Sequence, residues 1–229
     1  MAASSLLAGS KLSYFPIPGR GESVRLALHL SGVDWIDNRV PGKDWGQLKP
    51  STPWGKMPVL ELADGSNLSQ QRSLLRFIGK LNGLYPEDPM VAYRVDELMD
   101  IVDDVAVLTN SVGQGLEQSQ KEAARLESAT NGSVAAILGK IDGFIASQGS
   151  NGFAVGSTLT VADLIVACHL PMVSCGLFDG VPTTTLDRYP SICSVRKKVM
   201  TEARIMEYYA GRTDTMSGFE KFICDVSKL

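Results

Sequence analysis

The chain has 229 residues, 44% of them hydrophobic and 21% charged, with a net charge of −3. That length suits one large domain or two small ones, and so weakly acidic a chain without a basic run gives nucleic-acid binding no support. No apolar stretch reaches the ~18 residues of a membrane span, and Met1 to Ser10 lacks the pattern of a signal peptide, so a cytoplasmic location is expected.

Lys11 to Phe15 reads as a strand and Glu22 to Ser31 as a helix ended by Gly32. Asp34 to Val40 is a poorer strand. Met57-Pro-Val-Leu-Glu-Leu is a better one, turned by Asp64-Gly65 into Ser66 to Ser69 as a hairpin. A helix follows from Gln71 to Leu81, ended by Asn82-Gly83. The order βαβ then ββα describes a small mixed sheet with helices packed on it. Leu84 to Met90 carries two prolines and two acids and reads as a linker.

Beyond it the helical period takes over. Val91, Val95, Leu98, Met99 and Val102 make one apolar stripe, and Val134, Ile137, Leu138, Ile141 and Ile145 make another. Thr160 to Asp163 has the form of a capping box, opening the most apolar helix, Val161 to Met172. Cys168, Cys175, Cys193 and Cys224 form no C-x-x-C pair, so neither zinc nor a dithiol centre is supported. His29 and His169 sit in apolar runs without a nucleophile motif, which gives a Ser-His-Asp hydrolase no support.

Tyr14 carries the most chemistry. It closes the first strand just before a Pro-Gly-rich turn and a helix, the mouth at which small molecules bind to α/β sheets. A phenol there can donate one hydrogen bond to an anion, and a thiolate is the anion that gains most from it; an ordinary core tyrosine is the competing reading. The following Gly19-Arg-Gly-Glu half-matches a dinucleotide fingerprint. The third glycine is missing, and a βαβ-ββα half of about eighty residues cannot supply two mononucleotide-binding units, so that reading is rejected.

Four stretches resemble cytosolic glutathione transferases in order and spacing: Tyr14-Phe15 with Gly19-Arg20-Gly21-Glu22, Trp54 to Leu60, Leu68 to Phe77, and Leu159 to Asp163. The opening stretch looks most like the sigma class, which includes prostaglandin isomerases and lens crystallins. The resemblance covers nearly all of the chain beyond its first ten residues. It implies a thioredoxin-like βαβ-ββα domain at 11–83, a linker at 84–90 and an all-helical domain at 91–229, after a short extension at 1–10.

Roles follow from that resemblance, residue by residue. Tyr14 donates to the glutathione sulfur and Arg20 adds a nearby cation; these are the expected catalytic pair. Lys56 belongs to the segment containing Met57-Pro58, which resembles the family's cis-proline, where the Met57 backbone pairs with that of glutathione. Trp45 and Lys49 hold the glycine end; an exposed stack of the two is the competing reading. Gln70 and Gln71 open a helix whose free N–H groups attract the γ-glutamyl carboxylate. Gln71 departs from the family's usual serine, which puts its side-chain contact in question. Asp104 matches an acid that reaches the glutathione of a neighbouring subunit, so a homodimer is expected. Asp100 and Asp103 match acids that bind a divalent cation in some sigma members, but no metal is predicted. Phe15, Ile17, Val107 and Leu108 are expected to line the electrophile pocket.

The resulting expectation is a detoxifying enzyme that adds glutathione, as co-substrate and without another cofactor, to hydrophobic electrophiles. The rivals are a non-catalytic crystallin-like or scaffold relative and a prostaglandin isomerase. The isomerases carry a tryptophan at the place held here by Ser111, which demotes that rival. A glutaredoxin-like reductase would need a cysteine near Tyr14, and the sequence has none there.

Overall fold

The computed structural model describes residues 3–212 and 218–227. Its first half holds four strands, β1 (Lys11–Tyr14), β2 (Ile36–Arg39), β3 (Val59–Glu61) and β4 (Asn67–Ser69), in the order β2-β1-β3-β4. β1 lies parallel to β2 and antiparallel to β3, and β3 pairs antiparallel with β4. The crossover from β1 to β2 is α1 (Glu22–Leu30), as a parallel pair requires. A short α2 (Gly42–Leu48) precedes β3, and α3 (Gln71–Asn82) follows β4. α3 ends where Gly83 adopts a left-handed conformation, as the Asn82-Gly83 signal predicts.

The second half is helical among the described residues: α4 (Pro89–Ser111), α5 (Gln118–Thr130), α6 (Ser133–Gln148), α7 (Val161–His169), α8 (Pro190–Met200), α9 (Ala203–Ala210) and α10 (Gly218–Cys224). Val95, Leu98, Met99 and Val102 of the first predicted stripe are buried, as are Val134, Leu138, Ile141 and Ile145 of the second. The architecture is the expected one, a thioredoxin-like sheet domain followed by helices.

α7 is buried along its whole length and packs on α1, α4 and α8, so it joins the two halves. It opens on the predicted capping box: Asp163 accepts from the Thr160 N–H at 2.7 Å and from its hydroxyl at 2.8 Å, and also from the Ala154 N–H at 2.6 Å. The α-helix stops at His169 rather than Met172. Pro171 has no N–H to continue it, and a 3₁₀ turn takes over at Leu170–Val173. At the other end of the chain Leu7 is fully buried, and Asp88, within the 84–90 stretch, caps α4 by accepting from the Met90 and Val91 N–H groups.

Candidate active site

Tyr14 is 8% exposed at the end of β1, one of the two inner strands. Its hydroxyl accepts the Arg20 backbone N–H at 3.0 Å, and burial pushes the phenol above its ordinary pKa. The group is therefore protonated at neutral pH, and its own proton remains to be donated elsewhere. A Cβ on Gly19 would lie 2.5 Å from the Tyr14 oxygen, and one on Gly21 would lie 2.5 Å from the ring. The two glycines of the rejected dinucleotide pattern thus serve the tyrosine: any side chain there would strike it.

The loop after Tyr14 is held from below by Arg25, which is fully buried in α1. It donates to the Phe15 and Ile17 carbonyls at 3.0 Å each, pairs with Glu22 at 2.9 Å and reaches Asp37 of β2 at 3.0 Å. Glu22 in turn accepts from the Tyr209 hydroxyl of α9 at 3.0 Å, tying this loop to the helical half. Phe15 carries the aromatic contact outward, edge-on to both Tyr14 and Trp45.

Beside the Arg20 loop, whose N–H meets the Tyr14 hydroxyl, opens a cavity of about 500 Å³ lined by Arg20, Lys56, Met57, Pro58, Gln70, Gln71, Arg72, Ser73, Arg76, Asp100 and Asp103; Tyr14 itself is not in the lining. Six of the predicted site residues therefore meet in one place. The Met57-Pro58 bond is cis, as the family motif implies, and Met57 lies ahead of the ladder, which begins at Val59. Gln70 takes a positive φ of 74°, and α3 starts with no side-chain cap, so the first N–H groups of a helix whose opening residues line the cavity lack a side-chain acceptor. The Gln71 amide turns inward instead: it is 4% exposed and donates to the Ser23 hydroxyl of α1 at 2.9 Å.

The other predicted residues lie outside this cavity. Trp45 is half-buried against Phe15, and Lys49, past the end of α2, is exposed. Phe15, Ile17 and Leu108 are half-buried and Val107 is exposed; none of these four lines the cavity. Asp104 is exposed on α4, and its carboxylate takes no hydrogen bond or ion pair among the described residues.

The acidic face of α4 is opposed by cations, but those cations belong to the same chain. Asp103 takes Arg20 at 2.7 Å and Arg72 at 3.0 Å; Asp100 takes Arg72 at 3.0 Å and Arg76 at 3.5 Å; Asp96 takes Arg76 at 2.7 Å. These arginines hold the Asp103 carboxyl below the usual range against the opposing effect of burial. Among the described residues no three acids, histidines or cysteines converge as a metal-binding set. Sequence reasoning missed Arg72 and Arg76. Their spacing of four on α3, facing acids spaced three and four apart on α4, was the available signal.

Beneath Asp103 lies His169, with its Nε2 3.7 Å from the carboxylate and neither ring nitrogen hydrogen-bonded. Burial lowers its pKa to about 4, so the ring is neutral at neutral pH.

Residues 108–212 match the family model described as "Glutathione S-transferase, C-terminal domain". Over 163 residues the chain is 37% identical to glutathione S-transferase 1 of Ascaris suum, covering 70% of this chain and 78% of that protein. It is 32% identical to probable glutathione S-transferase 7 of Caenorhabditis elegans, over 90% of this chain and 97% of the relative. The chain belongs to the glutathione S-transferase family. Among solved structures, prostaglandin synthase D of Nilaparvata lugens shares the fold of this transferase with a TM-score of 0.78, at 24% identity over 89% of this chain and 98% of that one. The family placement agrees with what the cavity offers, an uncapped helix N-terminus and the backbone ahead of β3, with the protonated Tyr14 phenol bonded to the backbone of Arg20 in its lining.

Proposed function

We propose that this transferase binds glutathione in the cavity beside Tyr14 and joins its thiolate to hydrophobic electrophiles. The observation that carries the reading is the Tyr14 hydroxyl, which accepts one N–H, stays protonated, and so has its proton free for an anion. The cavity's four cations against two carboxylates suit a tripeptide with two carboxylates, one ammonium and a developing thiolate. The γ-glutamyl carboxylate meets the N–H groups at the start of α3, and the thiol end lies toward Tyr14 and Arg20. Trp45 and Lys49 take the glycine carboxylate, and Phe15, Ile17, Val107 and Leu108 face the electrophile. In this division 11–83 is the glutathione-binding domain and 91–229 carries the acceptor side.

The energetics fit a phenol with a neighbouring cation. A free thiol with a pKa near 8.5 is only about 3% ionised at pH 7. Lowering its pKa by about two units takes about 2.7 kcal/mol, and one charge-assisted hydrogen bond supplies ~1.5–3 kcal/mol. The thiolate fraction then rises about 25-fold, while each thiolate becomes about 6- to 10-fold less nucleophilic. The net gain is a few-fold, so most of the acceleration falls to placing the electrophile against the sulfur.

The same reading includes a sigma-like homodimer in the cytoplasm, in which exposed Asp104 reaches toward glutathione held by the partner subunit. Turnover of a chloronitrobenzene with glutathione tests it. Conjugation is expected; a protein that is retained on immobilised glutathione yet conjugates nothing would instead be a binding relative.

A further inference from the structure

The contacts of Asp103 have a consequence for Arg20. One carboxylate oxygen takes both Nε and Nη2 of Arg20, at 3.0 and 2.7 Å. The other takes Nη1 of Arg72 at 3.0 Å, while Nε of Arg72 grips Asp100 at 3.0 Å. A guanidinium is a rigid plane, so Arg72 spanning two carboxylates fixes the orientation of both. Arg20 itself is exposed, and among the described residues its side chain is anchored by Asp103 alone. His169 also faces Asp103 but is neutral, leaving Arg72 as the second cation on that carboxylate among the described residues.

We propose that Arg72 is a positioning residue, bracing Asp103 so that the Arg20 guanidinium is held toward the thiol end of the cavity. The inference rests on the glutathione reading of that cavity. Arg72 also lines the cavity, so a direct contact with glutathione is the rival account. The two accounts differ in what the thiol feels. A brace acts on sulfur ionisation through Arg20, whereas a direct contact acts on binding of the peptide whatever the sulfur's state.

The test is an ultraviolet titration of glutathione bound to the intact protein, alongside binding of S-methylglutathione, whose sulfur cannot ionise. In Arg72→Met, which keeps the stem and removes the fork, the bound thiol pKa is expected to rise by about half to one unit. On the acid side kcat then falls about 2- to 4-fold. S-methylglutathione binding should change by less than about twofold, a difference within what an exposed charge contributes. Arg72→Lys, unable to span both acids, should recover only part of the shift. The double variant with Arg20→Met should titrate like Arg20→Met alone.

Weakened S-methylglutathione binding with an unmoved thiol pKa would overturn the proposal, as would additive effects in the double variant. Should Arg72→Met fail to fold, Asp103→Asn serves in its place, with the same upward shift expected and an unchanged pKa contradicting the brace. A wild-type protein whose bound thiol titrates like free glutathione would sink the glutathione reading itself. Normal wild-type ionisation that survives Arg72→Met sinks only the brace.

Discussion

Replacing Tyr14 with phenylalanine separates ionisation from placement. The ring fits against Gly19 and Gly21 whether or not it carries oxygen, so Tyr14→Phe removes a hydrogen bond and little packing. The Arg20 N–H loses its acceptor, at a cost to stability of about 1 kcal/mol. The bound sulfur loses ~1.5–3 kcal/mol of anion stabilisation, which raises its pKa by about 1–2 units. On the acid limb the thiolate fraction falls by that full factor, partly offset by greater nucleophilicity, so kcat/KM should drop about 3- to 16-fold. Above the variant's own thiol pKa both enzymes are fully ionised, and the deficit should vanish or invert. The assay is chloronitrobenzene conjugation from about pH 5.5 to pH 9.5, a range spanning bound and free thiol pKa values. A deficit of the same size at every pH would refute the reasoning, because it would make the hydroxyl a positioning group. Full activity on the acid limb would refute it too.

Other consequences follow from the buried charges. Arg25→Met leaves Glu22 without its cation and frees the Phe15 and Ile17 carbonyls, so the urea midpoint should report a loss of about 3–5 kcal/mol; a loss below about 1 kcal/mol would contradict the pairing. His169, with a folded pKa of about 4 against about 6.5 unfolded, binds protons less readily when folded, so its contribution is full above about pH 6.5 and is lost as pH falls toward 4. Relative to His169→Leu, the wild type should lose about 3 kcal/mol across that window, and a pH-independent difference would contradict the assignment. The comparison must be made against the variant, because Asp163, pushed up to about 6 by burial, titrates in an overlapping range with the opposite sign. Lys49→Met should raise KM for glutathione about 2- to 5-fold and leave kcat unchanged; a fall in kcat at constant KM would remove Lys49 from the glycine end.

The elements were legible where local chemistry decided them. The Thr160–Asp163 capping box, the glycine stop at Gly83 and both apolar stripes stand as the sequence pattern implies. The overrun at α7 came from weighing apolar content above Pro171, whose missing N–H ends the helix. The site was legible in part. Arg20 from the loop after β1, the cis Met57-Pro58 segment and the start of α3 line one cavity because the sheet order sets β3 beside β1. What sequence could not convey was which partner each charge takes. The arginines that oppose the α4 acids lie on α1's approach loop and on α3, far away in sequence. Glu22 and Arg25 are fully buried on α1, satisfied by each other and by Asp37 and Tyr209, a pairing that no local pattern announces. The side-chain role of Gln71 was open in the sequence, and its amide donates to Ser23.

Everything rests on the sulfur of bound glutathione being ionised beside Tyr14. The direct measurement is the thiolate absorbance of the protein–glutathione complex as pH is raised. The account predicts a thiol pKa about two units below the free value of ~8.5. Titration of the bound thiol at the free value would contradict it.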